Sequence, residues 1–313
     1  MMMSKAMRNL PRKMSTTTKT CIVIAGATCT GKTAAAIDVA KFFNAEIISA
    51  DSRQCYRELN IGVARPSPEE LAALPHHFIA DRSIHEPFNA ADYENYSHRT
   101  LQSLFEKSDF AVVAGGTGLY IKAMMEGMDN IPAVPQELRN KIINDYQTHG
   151  IDWLRNELHT HDQDFFAKGE MKNPQRMMRA LEVKLFTGNS ILTYFSHTKN
   201  ELPWKFFGIH LQKEREQLKA DIDLRVDKMM EMGLLNEVKG LVTYQSLNAL
   251  QTVGYRELFS YLNNEIDLAD AVDLIKKNTR QYAKRQITWF KRLAFQQAYK
   301  ENCLEVVKTS LRK

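Results

Sequence analysis

The octapeptide Gly26-Ala27-Thr28-Cys29-Thr30-Gly31-Lys32-Thr33 constrains this chain more than any other stretch. It fits G-x-x-x-x-G-K-[ST], and its setting matters as much as its letters. A short β-branched apolar run at 21–25 precedes it, and a helical pattern over 33–43 follows. A strand, a glycine loop and a helix in that order aim backbone N–H groups and a helix N-terminus at one point, which favours an anion. Lys32 adds a mobile positive charge there, and the Thr33 hydroxyl is the candidate Mg²⁺ ligand. The loop predicts a bound di- or triphosphate and leaves open what is attached to it.

Further apolar runs at 46–50, 110–114 and 206–211 read as strands, separated by helical stretches. That alternation predicts an α/β fold, a P-loop NTPase-like parallel sheet flanked by helices and buried on both faces. Ligands of such sheets sit beyond the carboxyl ends of the strands. Asp51 and the run Gly115-Gly116-Thr117-Gly118 stand at such ends. The Asp51 carboxylate could hold Mg²⁺, act as a general base or simply cap a turn. The glycine run offers either unhindered N–H groups or a plain turn. A phosphate-cleaving enzyme of this class should place a carboxylate for Mg²⁺ after a hydrophobic strand; here the strand runs into Gly115-Gly116-Thr117 instead.

Residues 121–200 read as helical throughout. Pro135 opens a helix that Gly150 ends, and Asn173-Pro174 starts another that reaches Thr187-Gly188. The expected organisation is a basic leader at 1–20 without ordered structure, a P-loop core formed by 21–120 with 201–313, and an inserted all-helical subdomain at 121–200. The leader reads as either a ragged start or a weak transit peptide.

The net charge of +5 is unevenly distributed. Residues 1–37 carry six basic and no acidic side chains, and 276–313 carry eleven basic and two acidic, leaving −10 on 38–275. At 100° per residue, Lys276, Arg280, Lys284 and Lys291 fall within about 80° of one another on a helix whose opposite face is apolar. No acidic residue on that helix neutralises the stripe at i,i+4. It is either a solvated surface or a face for a nucleic-acid backbone. No run approaches the roughly 18 apolar residues of a membrane span. The four cysteines form no C-x-x-C pair and read as free thiols in a reducing compartment.

Together these pieces resemble the tRNA dimethylallyltransferases, also called tRNA isopentenyltransferases. Besides the glycine loop, the resemblance rests on Asp51-Ser52-Arg53-Gln54-Cys55-Tyr56-Arg57, Pro75-His76-His77 and Gly115-Gly116-Thr117-Gly118-Leu119-Tyr120-Ile121. Further along it rests on Asn173-Pro174-Gln175-Arg176 with Arg179-Ala180-Leu181-Glu182, on Gly254-Tyr255-Arg256-Glu257, and on Thr279-Arg280-Gln281-Tyr282-Ala283-Lys284-Arg285-Gln286. One departure bears on the site: Asp221 stands where the family usually carries Arg, four residues before Arg225. No Cys₂His₂ finger follows residue 300, so the resemblance is to the bacterial type.

The resemblance implies transfer of a dimethylallyl group from dimethylallyl diphosphate to N6 of the adenine 3′ of the tRNA anticodon. It implies Asp51 as general base, Thr117 and Arg225 at the leaving diphosphate, residues 26–33 as the diphosphate cradle, and Mg²⁺ as cofactor. Expected tRNA contacts in the core are Asp51, Ser52, Arg53, Gln54, Thr117, Gln251, Gly254, Tyr255 and Arg256. The C-terminal helix is expected to add Thr279, Arg280, Gln281, Tyr282, Lys284, Arg285 and Gln286, and the insertion Arg139 and Arg176. The expected partner is the anticodon stem-loop, met by a cytoplasmic monomer without a membrane. Rival readings are an adenylate isopentenyltransferase acting on free AMP, ADP or ATP, a small-molecule kinase, and a noncatalytic RNA-binding protein. Intact Lys32, Thr33, Asp51 and Thr117 count against the last.

Overall fold

The computed structural model describes residues 18–195 and 201–311. Residues 1–17 of the leader expected over 1–20 lie outside the described residues. At its far end, Lys19 already pairs with Asp109 at 2.8 Å, and Thr20 opens the first strand, so the ordered chain begins earlier than residue 21.

The chain forms two compact units, Met1–Met125 with Glu201–Lys313, and Glu126–Asn200. The first is built on β1 (Thr20–Gly26), α1 (Lys32–Phe43), β2 (Ile47–Ser49), α2 (Pro68–Ala73), β3 (His76–His77), α3 (Ala90–Phe105), β4 (Phe110–Gly115) and α4 (Gly118–Glu126). With β5 (Lys205–Gln212) and β6 (Gln296–Tyr299) from later in the chain, all six strands of its sheet run parallel, in the order β3-β2-β4-β1-β5-β6. Period-two alternation divides β1 between two cores. Cys21, Val23 and Ala25 face one with Ile48, Val113, Leu101 and Phe290. Ile22 and Ile24 face the other with Val39, Val112, Ile209 and Leu211. Burial on both faces is why these strands are continuously apolar in sequence. Helix α4 stays with this unit because Tyr120, Ile121, Ala123 and Met124 are buried in the first core. That moves the start of the helical unit from 121 to Glu126.

The second unit contains α5 (Gln136–His161), α6 (Gln163–Lys168) and α7 (Pro174–Thr187). Gly150 breaks α5 with φ 75° and ψ −167°, and Gly188 ends α7 with φ 77°. Its own core collects Ile142, Leu154, Leu158, Phe165, Met177 and Leu181. Glu182, nearly buried, is paired by Arg139 at 3.3 Å and Arg179 at 3.1 Å.

The first unit resumes with β5 (Lys205–Gln212), α8 (Arg215–Glu231), α9 (Leu234–Lys239), α10 (Tyr255–Leu262), α11 (Leu268–Phe290), β6 (Gln296–Tyr299) and α12 (Cys303–Leu311). The carboxyl ends of β1, β2 and β4 place residues 26–31, Asp51 and Gly115–Thr117 side by side. A Cβ on Gly115 would stand 2.2 Å from the Ala50 carbonyl oxygen, and the Thr117 N–H donates to that same oxygen at 3.0 Å. The two strand ends can approach this closely only because residue 115 is glycine.

Candidate active site

The glycine loop turns through two left-handed residues, Cys29 at φ 63° and Gly31 at φ 84°. Ala27 and Cys29 pack with Leu218, Ile222 and Ala283, which seats the loop on α8 and α11. Gly31 precedes α1 and supplies no side-chain cap, so the first-turn N–H groups of that helix keep their capacity for an anion. The Thr30 hydroxyl donates to the Ala27 carbonyl at 2.8 Å, and the Lys32 ammonium donates to the same carbonyl at 2.7 Å.

Lys32 reports what surrounds it. Burial lowers its ammonium to about 8; Asp51 pulls the other way and Arg225 adds to the lowering. Desolvation outweighs the attraction of one carboxylate, a balance that a bound dianion would reverse. The Arg225 guanidinium reaches the loop directly, donating to the Thr28 hydroxyl at 3.2 Å. Lys32, Arg225 and Asp51 therefore share one electrostatic site, although they come from α1, α8 and the end of β2.

Asp51 accepts the N–H groups of Arg53 at 2.9 Å and Gln54 at 3.3 Å, both through Oδ1. It thus caps the turn after β2, and no hydrogen bond from the described residues engages Oδ2. The Thr117 hydroxyl accepts the Ser52 N–H at 3.0 Å and lies 3.3 Å from the Ser52 hydroxyl. Tyr282 of α11 lies beside this group: desolvation of its inner side and then the Asp51 carboxylate push its phenol up to about 12, while the ring keeps an exposed edge. The catalytic set read from the sequence, Asp51, Thr117 and Arg225, thus lies around the loop.

The tRNA contacts expected in this unit separate into exposed and interior groups. Gln251, Arg256, Gln281, Lys284 and Arg285 are exposed, and Ser52, Arg53, Gln54 and Thr279 are partly so. Tyr255 is fully buried and its hydroxyl donates to Glu237 at 2.5 Å. Gly254 is buried beside it, its N–H held by Glu257 at 2.8 Å. Gln286 is buried, with Oε1 on the Thr28 N–H and Nε2 on the Gly116 carbonyl, both at 2.9 Å. These three have no surface to offer RNA; their polar groups are spent inside the protein.

The cationic stripe on α11 is also partly neutralised, by residues its own periodicity cannot show. Lys276 pairs with Asp227 at 2.6 Å and Arg280 pairs with Asp223, both acids from α8. Lys284 and Lys291 remain exposed. In the helical unit, Arg139 is held by Glu182 while Arg176 is exposed. Asp221 has a partner that sequence reasoning missed. Lys213 pairs with it and donates to the Cys29 carbonyl at 2.8 Å, and Gln217 donates to it at 2.8 Å. These hydrogen bonds lower the Asp221 carboxyl. No cluster of three or more His, Cys, Asp or Glu able to hold a metal occurs among the described residues.

A family profile described as IPP transferase matches residues 54–293. A tRNA dimethylallyltransferase of Cytophaga hutchinsonii is 43% identical over 277 residues, covering 88% of this chain and 91% of that protein. One from Christiangramia forsetii is 44% identical over 271 residues, 87% of this chain and 90% of its own length. The solved structure of the full-length tRNA isopentenylpyrophosphate transferase of Bacillus halodurans superposes with a TM-score of 0.69 at 30% identity, covering 94% and 96% of the two chains. A eukaryotic dimethylallyltransferase described as acting on tRNA gives 0.72 at 29% identity, covering 87% of this chain and 70% of that one.

Proposed function

This chain belongs to the IPP transferase family, and from that premise we infer that it transfers a dimethylallyl group from dimethylallyl diphosphate to N6 of the adenine 3′ of the tRNA anticodon. The observation that carries the reading is the shared site of Lys32, Arg225 and Asp51. Two cations face a phosphate loop, and a carboxylate stands beside them with one oxygen uncommitted.

The chemistry divides among these groups. The loop N–H groups, Lys32 and Arg225 bind the diphosphate and offset the charge that grows on it as the allylic C–O bond breaks. The electron pair of that bond leaves with diphosphate. N6 of the adenine forms the new bond to the allylic carbon, and its proton passes to Asp51 Oδ2, the free oxygen. Thr117, fixed by Ser52, stands at the diphosphate. The adenine must leave the anticodon stack to reach the carboxylate. Exposed Lys284 and Arg285 on α11, Lys291 at its C-cap, and Arg176 in the helical unit supply backbone contacts that read stem-loop shape more than sequence.

Mg²⁺ suits this donor set. The Thr33 hydroxyl would provide one oxygen, and Mg²⁺ commonly takes the rest from substrate phosphates and water, which leaves Asp51 Oδ2 open for the proton. When bound it lowers the charge on the leaving group. Among the described residues no helix is long and apolar enough to cross a membrane. The reading places the enzyme in the cytoplasm, where it meets tRNA as a monomer.

Incubation with dimethylallyl diphosphate and equal amounts of unmodified tRNA and AMP, followed by nucleoside mass analysis, tests the reading. Prenylated adenosine should appear in tRNA. Modification of AMP alone would favour the adenylate enzyme, and release of γ-phosphate from ATP would favour a kinase.

A further inference from the structure

Asp51 stands at one end of a chain of hydrogen bonds that leads away from the substrate. Its Oδ1 accepts the Gln54 N–H. The Gln54 side-chain amide donates to the carbonyls of Val63 at 3.2 Å and Ala64 at 2.9 Å. The turn just before them is gripped from outside. Glu237 of α9 accepts three successive backbone N–H groups, from Asn60 at 3.2 Å, Ile61 at 2.7 Å and Gly62 at 3.0 Å. The Tyr255 hydroxyl gives it a fourth donor at 2.5 Å. Successive amides converging on one carboxylate form an anion nest, and bonds to an ionised acceptor are about twice as strong as neutral ones. Tyr255 is also packed on the turn itself: a Cβ on Gly62 would stand 2.5 Å from its ring.

We propose that Glu237 and Tyr255 are positioning residues for Asp51, acting through residues 60–64 and Gln54. The proposal rests on the reading of Asp51 as the proton acceptor. It also gives the motif Gly254-Tyr255-Arg256-Glu257 a task other than touching RNA. Tyr255 clamps the turn, and Glu257 holds α10 in place through the Gly254 N–H at 2.8 Å and Asn278 at 2.7 Å. The phosphate loop is not a member of this chain of bonds. Loosening the clamp should therefore disturb proton transfer and leave donor binding alone.

Tyr255→Phe removes the hydroxyl and keeps the ring against Gly62, so the fold survives. Glu237→Gln turns one acceptor into a donor that faces N–H groups. The measurements are kcat and donor KM in the transfer assay, with the number of diphosphate sites per chain from calorimetry. Asp51→Ala runs beside them. A catalytic group displaced by about 1 Å can cost about a hundredfold, so kcat should fall roughly ten- to a hundredfold in Tyr255→Phe and further in Glu237→Gln. Donor KM should stay near wild type, with one diphosphate site per chain. If both variants keep wild-type kcat while Asp51→Ala is inactive, the clamp does not position Asp51 and the proposal fails while the reading of Asp51 stands. If kcat and diphosphate sites fall together, Tyr255 and Glu237 serve the fold alone and the proposal fails. An active Asp51→Ala would overturn the reading of Asp51 and the proposal with it.

Discussion

Gln286 accepts the backbone N–H of Thr28 through Oε1 at 2.9 Å, and its Nε2 donates at 2.9 Å to the carbonyl of Gly116. One buried amide from α11 thereby joins the loop after β1 to the loop after β4. Gln286→Ala should leave both backbone groups unpaired, at about 1–3 kcal/mol each if water cannot replace the amide. Thermal unfolding should show the loss, and donor KM should rise as the loop loses its brace. An unchanged melting temperature with unchanged donor KM would contradict this role.

Lys32 makes donor binding depend on pH. Its ammonium is lowered to about 8 by burial, and the diphosphate favours the charged form, so binding takes up a proton above that pH. Donor affinity should weaken as pH rises through 8. For folding, the unfolded chain holds a proton between about 8 and the ordinary lysine value of 10.5 that the folded chain has lost, so the cost of burying the charge is full below 8 and fades as pH rises toward 10.5. Lys32→Arg, which does not titrate in this range, should flatten the pH dependence of donor affinity even if it binds more weakly. Affinity curves of equal slope for the two proteins would exclude Lys32 as the titrating group.

Lys213 braces the phosphate loop from the side of α8, through Asp221 and the Cys29 carbonyl. Asp221→Arg would introduce the residue the family usually carries, yet it would set a second cation against Lys213. Donor KM should therefore rise in Asp221→Arg and recover in part when Lys213→Ala is added. Coupling between neighbours of this kind is about 0.5–3 kcal/mol. Additive effects in the double variant would show that the two side chains do not act on the loop together.

The ion pairs of α11 split its basic residues into two groups. Lys284 and Lys291 are exposed, whereas Arg280 is already matched by Asp223. Each RNA phosphate that is no longer neutralised should reduce the salt slope of log K by about 0.7–0.9. Lys284→Ala with Lys291→Ala should flatten the salt dependence of tRNA binding, and Arg280→Ala should flatten it less than either. Coincident salt titrations for wild type and the double variant would mean that this helix does not meet RNA.

The parallel sheet was legible because β1, β2, β4 and β5 are apolar runs buried on two faces. The strands β3 and β6 were not. His76–His77 is two residues long, and only Ala298 of Gln296–Tyr299 is buried, since both strands lie at sheet edges, where polar residues are tolerated. At the site, the glycine loop and Asp51 were readable from their positions after strands. The inward roles of Gln286 and Tyr255 were not, because a motif marks that a residue matters without showing which way it faces. Periodicity gave α11 its cationic side, but Asp223 and Asp227 lie on α8 and meet it only in the folded chain.

The most direct test of the account is single-turnover transfer from dimethylallyl diphosphate to unmodified tRNA, wild type against Asp51→Ala, with the product located by nucleoside mass analysis. Wild type should place one dimethylallyl group on the adenine 3′ of the anticodon. Asp51→Ala should bind the same tRNA with little change and react slower by about 10²–10⁴, the usual contribution of a general base. Equal single-turnover rates in the two proteins, or label anywhere other than that adenine, would contradict the account.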